Sequence, residues 1–373
     1  MKITLKRTPE QVELVKLMGS NNRVKAIEAQ ETFAAAIAGV IQNVIQTAPV
    51  ITQLFKDIEF DEFTNPTIPL DLYYDVKEKN YIKTWSQTVP GGLASSQTSG
   101  ATDLPVMTYN LTSAVQFLKD YARQGRLDVV AKTLERMAQE ILVKQELNAA
   151  SVLTKASAEA TYQKAGVTTF NTIRVNTANS LVLDDFNKLL TLAARINSSW
   201  VGGTPVNAPR GLTDILLSPE AMEEIRAMAY EPMNTVGTVT NIPGTEKFRN
   251  AVYDSAGLPS IYGVNLIPCY DLGVNQAYNT LFGTYAGSNA YPGYAGSGTA
   301  VFTGTTEEVL LGVDRTREAA LRPIRVDSEG GGSLTVMPDD QFYSARSEKI
   351  GFWGRIRQGN VIADSRMLTT LIM

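Results

Sequence analysis

The chain has 373 residues, a net charge of −4, one cysteine and no histidine. A chain of this length buries most of its unfolded surface without a disulfide or metal, and the lone Cys269 cannot form an internal bridge. The absence of histidine removes the commonest general acid-base group and the commonest metal ligand. These features argue against most enzyme classes, and we predict no catalytic residue, no cofactor and no metal site.

We expect no secretory signal and no membrane span. The lysines of residues 1–8 are not followed by a continuous apolar run, and no stretch approaches the ~18 consecutive apolar residues of a membrane helix. We therefore expect synthesis in the cytoplasm and no membrane partner. Cys269 follows the apolar run of residues 264–267 and is predicted to be a buried, unreactive side chain.

Two helices are predicted in the N-terminal segment. Thr8 precedes Pro9 at the first helical position, and Gln11 would complete a capping box. A second helix is predicted over residues 23–46. We expect its apolar stripe to pack on the body of the chain or on a neighbour, because the segment has no sheet of its own. The members of this stripe are Phe33, Ile37, Val40, Ile41 and Val44.

A long hairpin is predicted next. Residues 68–85 and 104–118 are rich in β-branched and aromatic side chains, and the small, uncharged residues 88–102 lie between them. An isolated hairpin is marginal in water, so we expect this one to pack on another surface, either a neighbour's or that of its own domain. The residues predicted to form its tip are Pro90, Gly91, Gly92 and Gly100.

The clearest predicted helix extends from residue 127 to about residue 156. At 1.5 Å per residue it would be roughly 40 Å long, and charge pairs four residues apart cover its polar face. Lys144 interrupts the apolar stripe, so packing on a sheet is favoured over a coiled coil. The predicted core face consists of Leu127, Val130, Leu134, Met137 and Ile141.

The remainder of the chain mixes helices and strands. Helices are predicted over residues 183–196 and 219–229, the second capped by Ser218, and residues 283–298 are predicted to be a loop. Because helices and strands come in blocks without regular alternation, the predicted fold class is α+β. Predicted strands span residues 214–217, 263–268, 305–313, 334–337, 350–353 and 361–372.

No motif for nucleotide binding, metal binding or nucleophilic catalysis is present. Asp184 and Asp185 lie where a helix begins, a position that suits acidic side chains, so we interpret them as structural. Clustered basic residues either contact nucleic-acid phosphates or pair with the interleaved acidic residues, and we favour pairing. The basic residues that could face DNA or an interface are Arg123, Arg126, Arg322, Arg325, Arg355 and Arg357.

The order of these elements resembles the Hong Kong 97-type capsid fold, which tailed-bacteriophage major capsid proteins and encapsulin shells share. Residues 109–117, leading through Arg123 into the long helix, resemble the family's passage from extended loop to spine helix. Residues 215–220 and 258–268 resemble parts of its axial domain. Residues 342–362, with Arg346, Gly351, Arg357 and Val361, resemble the closing strands of its peripheral domain. The resemblance covers nearly the whole chain.

The resemblance implies a major capsid protein rather than an enzyme. Such a subunit assembles as pentamers and hexamers into an icosahedral shell that encloses double-stranded DNA. The implied segments are an N-terminal arm (1–60), an extended loop (61–118), a peripheral domain with the spine helix (119–179), an axial domain (180–324) and closing strands of the peripheral domain (325–373).

Partners are also implied by the resemblance: further copies of the chain, scaffold and portal proteins, decoration proteins, and DNA contacted without sequence specificity. The protein would be made in the host cytoplasm and located in the virion capsid. Because the arm begins almost at once, we expect a separate scaffold or none. We expect no covalent crosslink, since no asparagine partner is identifiable for Lys77, Lys79 or Lys83. An encapsulin shell, another virion protein and an enzyme of unknown type stay open as alternatives.

Overall fold

The computed structural model describes residues 8–47, 50–61, 64–69, 102–164, 167–200, 211–230, 260–326, 333–339 and 348–373. The predicted loop-tip residues Pro90, Gly91, Gly92 and Gly100 lie outside these ranges. The helices of the described residues are α1 (Pro9–Met18), α2 (Arg23–Thr47), α3 (Lys119–Arg123), α4 (Leu127–Glu159), α5 (Leu183–Trp200), α6 (Pro219–Tyr230) and α7 (Ala277–Ala286).

Among the described residues, helices and strands occur in blocks without regular alternation, so the predicted α+β class is confirmed. The strands are β1 (Lys56–Phe60), β2 (Thr67–Pro69), β3 (Asp103–Pro105), β4 (Tyr109–Leu118), β5 (Thr161–Lys164), β6 (Val167–Phe170), β7 (Thr172–Arg174), β8 (Asp214–Leu217), β9 (Ser260–Ile261), β10 (Val264–Pro268), β11 (Ala290–Pro292), β12 (Thr299–Val301), β13 (Val309–Val313), β14 (Ala320–Arg325), β15 (Leu334–Pro338), β16 (Lys349–Gln358), β17 (Val361–Ile362) and β18 (Leu368–Ile372).

The chain forms two compact units. Unit 1 contains the described residues of Met1–Thr67, Pro105–Ala149 and Leu321–Val361, and unit 2 contains those of Ile68–Leu104, Ala150–Ala320 and Ile362–Met373. This division differs from the five predicted segments, because residues 150–179 and 362–373 group with unit 2. The physical reason is strand pairing, since β7 and β18 are parallel neighbours in one sheet.

One six-stranded sheet is built around β16. The strand order is β1-β14-β16-β15, with β4 also paired to β16 and β17 to β14. β4 is antiparallel to β16 over its full length, from Tyr109 beside Gln358 to Leu118 beside Lys349. The prediction that residues 104–118 form the return strand of a hairpin is therefore wrong for Tyr109–Leu118. The alternating side chains of β4 instead direct Leu111 and Val115 toward the core of unit 1.

The core of unit 1 lies between this sheet and helices α1, α2 and α4. Phe352 of β16 is buried at its centre, with its ring centroid 5.7 Å from that of Phe33 and 6.2 Å from that of Phe117. Helix α4 packs on the sheet through its apolar stripe, so no coiled coil is needed to bury it. The stripe residues are all buried: Leu127, Val130, Leu134, Met137 and Ile141.

The apolar stripe of α2 packs on the same core. Phe33, Ile37 and Ile41 are buried there, so this part of the arm lies on the body of its own chain. Val40, which was predicted to belong to the stripe, is 47% exposed, and Val44 is only half-buried. Ile45 completes the buried stripe instead, because it continues the steps of four residues from Phe33 along one helix face.

The predicted start of α1 is present, but its capping box is only half formed. The Thr8 hydroxyl accepts a hydrogen bond from the Gln11 backbone N–H at 3.4 Å, and Pro9 occupies the first turn. The Gln11 side-chain oxygen is buried and has no hydrogen-bond partner among the described residues. The Thr8 cap therefore satisfies one free N–H group of the helix end, and the reciprocal bond from Gln11 is missing.

Unit 2 is organised around a second six-stranded sheet of order β7-β18-β13-β8-β10-β9. Helices α5 and α6 pack on it through a core that includes Phe186, Leu189 and Ile225. The prediction of a loop over residues 283–298 is wrong in part, since α7 extends to Ala286 and β11 follows. Burial of Phe282 and Tyr291 orders this Gly- and Tyr-rich stretch. Cys269 is buried, as predicted.

Among the residues that the structure describes, no helix combines the length and apolar character that a bilayer span requires.

Candidate functional site

The base of the predicted extended loop is an isolated pair of short strands. β2 and β3 form a two-stranded sheet of their own, and the Val106 backbone N–H donates to the Pro66 carbonyl at 2.9 Å. The next residue, Met107, is 92% exposed. The described residues thus contain the point where the two sides of the loop meet, and its predicted tip lies outside them.

An exposed apolar surface lies on unit 1 beside α4. Val143 and Leu147 are one helical turn apart on α4, and Val143 is 60% exposed. The carboxylate of Glu146 accepts hydrogen bonds from the backbone N–H groups of Ile51 and Thr52, at 2.9 and 3.1 Å. These bonds hold the neighbouring segment against α4, which places the exposed Val50 nearby. We call Val50, Val143 and Leu147 the α4 apolar surface.

A groove of about 650 Å³ runs between α2 and β15 in unit 1. Ile27, Ala34 and Val336 contribute apolar lining, and Arg23 and Asp339 are among its polar residues. The described lining residues do not pair a nucleophile with a general base, so they form no recognisable catalytic arrangement.

The arginine at the turn before α4 is held by polar groups of its own chain. The Nε of Arg123 donates to the Gly19 carbonyl at 3.0 Å, and its Nη2 donates to the Asn21 side chain at 2.8 Å. Its Nη1 also lies 3.5 Å from the Asp120 carboxylate. Arg126, the other arginine of this turn, is exposed and lies over the Tyr121 ring. Among the described residues, Arg123 therefore has a carboxylate neighbour, whereas the contact of Arg126 is with an aromatic ring.

The remaining arginines singled out from the sequence lie in the first sheet. Arg322 and Arg325 are buried, and Arg322 pairs with Asp57. Arg357 donates to the Thr108 hydroxyl at 2.9 Å and lies over the Phe60 ring. Arg355 is half-buried on the same strand as Arg357. The structure does not bring the six arginines together into one basic patch.

Sequence reasoning missed a buried ion pair in unit 2. Arg174 is buried, and its Nη2 lies 3.1 Å from the Glu307 carboxylate and donates to the Val301 carbonyl. Its guanidinium also lies over the Tyr294 ring, and the Tyr294 hydroxyl donates to Glu307 at 2.8 Å. Burial and the hydrogen bond to Glu307 raise the pKa of Tyr294 to about 12. No sequence signal links residues so far apart along the chain.

The neighbouring acidic residues at the start of α5 have separate structural partners. The carboxylate of Asp185 is buried and accepts from the backbone N–H groups of Asn176 and Val182, at 3.1 and 3.2 Å. Burial raises the pKa of Asp185, and hydrogen bonds from Lys188 and Asn176 lower the pKa of Asp184. The two carboxylates therefore fix the beginning of a helix. In the described ranges, no group of three or more Cys, Asp or Glu side chains is arranged to hold a metal ion.

No protein-family model and no curated protein sequence matches this chain. Solved structures do match it over most of its length. The capsid structure of Cyanophage P-SCSP1u has 13% sequence identity and a TM-score of 0.52, covering 87% of this chain and 88% of that chain. A structure of Microbacterium phage Oxtober96 has 11% identity and a TM-score of 0.47, covering 88% and 91%.

The holo-SrpI encapsulin complex from Synechococcus elongatus PCC 7942 has 12% identity and a TM-score of 0.41, covering 87% of each chain. At such low identities a structural match concerns the fold alone. Of these three matches, the cyanophage capsid supports the fold assignment, because its TM-score is above 0.5. The chain has the Hong Kong 97-type capsid fold.

Proposed function

We propose that the chain is the major capsid protein of a tailed bacteriophage. In this proposal it assembles as pentamers and hexamers into an icosahedral shell that encloses double-stranded DNA. The observation that carries the proposal is the fold similarity to the Cyanophage P-SCSP1u capsid across 87% of the chain. The absence of histidine supports a structural role rather than an enzymatic one.

The two units have different roles in this proposal. Unit 1, which contains residues 127–149 of the spine helix α4, is the peripheral domain, and unit 2 is the axial domain around which capsomers form. The N-terminal arm is the part of residues 1–60 that precedes β1, and the extended loop is the part of residues 61–118 that precedes β4, because β1 and β4 belong to the sheet of unit 1. The paired strands β2 and β3 support this assignment, because they bring the two ends of the loop together at one place.

Neighbouring subunits cover the α4 apolar surface in the proposed shell. Val143 is 60% exposed in the lone chain, and Val50 and Leu147 are each 37% exposed. A grouping of this kind on an otherwise well-packed unit is typical of an interaction site. Burial of one such side chain contributes up to about 1.5–3 kcal/mol, and every subunit of a shell would repeat the contact.

Contact with the packaged DNA is proposed to be weak and without sequence specificity. Arg322 and Arg325 are buried, so they serve the fold rather than the genome. Arg126 is exposed and remains a candidate for phosphate contact. Scaffold, portal and decoration proteins complete the proposed set of partners, and the proposed location is the virion capsid.

Negative-stain imaging of the full-length chain tests the proposal. We expect closed shells or capsomer rings from the intact chain, and impaired assembly when residues 88–102 are deleted. Replacing residues 88–102 with an uncharged sequence of equal length is the matched control. This variant keeps the length of the loop and changes only its side chains, so it separates the effect of a shorter loop from the effect of lost side-chain contacts. Soluble monomers under all assembly conditions would contradict the proposal.

The contents of the particles separate the two shell functions. Nuclease-protected double-stranded DNA in particles from the natural source supports the capsid. A co-purified enzyme cargo without DNA would support an encapsulin-type compartment instead.

A further inference from the structure

Glu308 is a buried carboxylate whose side chain has a single hydrogen-bond partner among the residues that the structure describes. Its side chain is 3% exposed, and both carboxylate oxygens lie 3.0 Å from one neutral group, the Ser218 hydroxyl. Its backbone is fixed by a reciprocal pair of hydrogen bonds with Met373, at 3.0 and 2.9 Å. A buried carboxylate is usually neutralised by a cation or by several N–H donors, and a single hydroxyl is a poor substitute.

The same hydroxyl also caps helix α6. Ser218 Oγ accepts a hydrogen bond from the Ala221 backbone N–H at 2.9 Å, which satisfies a free donor of the first turn. Its one proton can be donated to only one acceptor at a time. Ser218 therefore connects the Glu308 carboxylate directly to the start of α6.

Among the described residues, the charged side chains that act on the pKa of Glu308 are acidic. Glu220 and Glu224 both belong to α6, and the Glu224 carboxylate is held in place by the Leu181 backbone N–H at 2.7 Å. The adjacent Glu307 is paired with Arg174, so this cation is already engaged. An ionised Glu308 would thus face two like charges from the helix that its partner Ser218 caps.

We infer that the protonation state of Glu308 controls the packing of α6. When Glu308 is protonated, α6 is packed stably, and when Glu308 is ionised, this packing is weakened. In the protonated state the carboxylic acid is neutral and forms a hydrogen bond with Ser218 without repelling Glu220 or Glu224. Loss of the proton to solvent leaves a buried negative charge opposite both side chains. This inference concerns the folded chain itself and is independent of the proposed function.

The direction of the pH dependence follows from the same contacts. Burial raises the pKa of Glu308 from 4.5 to about 7; the Ser218 hydrogen bond opposes this rise, and the charges of Glu220 and Glu224 add to it. When α6 detaches, Glu308 regains an ordinary pKa. The packing of α6 is therefore most stable below pH 4.5, becomes less stable as the pH rises toward about 7, and stays least stable above that. Between these two pH values, each pH unit changes the equilibrium between packed and detached α6 by up to about tenfold.

Hydrogen-deuterium exchange of α6 in the full-length protein tests the inference. After correction for intrinsic exchange rates, protection of the α6 amides is expected to fall by up to about tenfold per pH unit between about pH 5 and about pH 7. Glu308→Gln should remove most of this pH dependence. Glu223→Gln is the matched control, because Glu223 is an exposed residue of the same helix, and this variant should keep the wild-type profile.

A second variant makes the test independent of whether Glu308→Gln folds. Glu220 is exposed, so Glu220→Gln should fold normally and, by removing one like charge, shift the midpoint of the profile to lower pH. The inference is overturned if the wild-type protein shows no pH dependence in α6. It is equally overturned if Glu220→Gln leaves the midpoint unchanged, or if folded Glu308→Gln retains the wild-type profile.

Discussion

Arg322 forms two hydrogen bonds with the carboxylate of Asp57. Its Nε lies 2.6 Å from Oδ1 and its Nη2 lies 2.7 Å from Oδ2, and the two residues are register partners in the parallel pair of β1 and β14. The Arg322 side chain is 6% exposed, whereas that of Asp57 is 42% exposed. The pair therefore attaches the first strand of the chain to the sheet, because the buried guanidinium depends on this carboxylate.

Asp57→Asn should destabilise unit 1 by about 1–3 kcal/mol, because it removes the charged partner of a buried arginine. The measurement is the midpoint of urea denaturation. Glu59→Gln is the matched control, since Glu59 is exposed on the same strand, and it should change stability by less than about 0.5 kcal/mol. Equal effects of the two substitutions would show that the Asp57–Arg322 pair contributes nothing particular.

Phe352→Ala should cost about 3–5 kcal/mol, because the ring is buried between Phe33 and Phe117 at the centre of the unit 1 core. Phe352→Leu keeps most of the apolar volume and should cost clearly less. The measurement is again denaturation by urea. Met337→Ala, at an exposed position on the neighbouring strand β15, is the control. A loss below about 1 kcal/mol for Phe352→Ala would contradict the described packing.

Gly312 and Gly39 should respond to alanine with opposite signs. A Cβ at Gly312 would lie 2.6 Å from Thr369 Oγ1 and 2.8 Å from Leu212 Cδ2, so overpacking by Gly312→Ala should cost about 1–3 kcal/mol. Gly39 lies within α2 with no atom near its Cβ position, and Gly39→Ala should stabilise by about 0.5–1 kcal/mol. The two melting temperatures should move in opposite directions. A shared direction would contradict the described environments.

Val143→Asp should block assembly without unfolding the subunit, because Val143 is exposed in the lone chain and proposed to be buried in the shell. Sedimentation should show capsomers or monomers in place of shells, while circular dichroism stays unchanged. Val143→Thr, of similar size and without charge, is the matched control and should still assemble. Normal shells from Val143→Asp would remove the α4 apolar surface from the proposed interfaces.

The elements that were predicted correctly are those whose structure is determined by residues close by in the sequence. The Thr8-Pro9 pair predicted the start of α1, and the period of Leu127, Val130 and Leu134 predicted α4 and its buried face. The buried run Asp214–Leu217 was likewise predicted as a strand. In each case, capping or periodicity within a few residues is sufficient to select the structure.

Long-range contacts decided the features that were predicted wrongly or missed. Tyr109–Leu118 joins β16, more than two hundred residues away, and no local pattern specifies that partner. Helix α7 has no side-chain cap at Gln276 and includes Gly283, so its order depends on the burial of Phe282. The pairing of Arg174 with Glu307 likewise exists only in the folded chain. The local helix or strand propensity of a segment is overridden where tertiary contacts bury much of its surface.

The central claim is that this fold serves to build a closed shell, and electron cryomicroscopy of the assembled full-length chain tests it most directly. The account predicts icosahedral particles in which this chain occupies both five-fold and six-fold clusters, with unit 2 nearest the cluster axes and the α4 apolar surface covered by a neighbouring subunit. Monomers alone under every assembly condition, or particles in which Val143 remains in solvent, would contradict it.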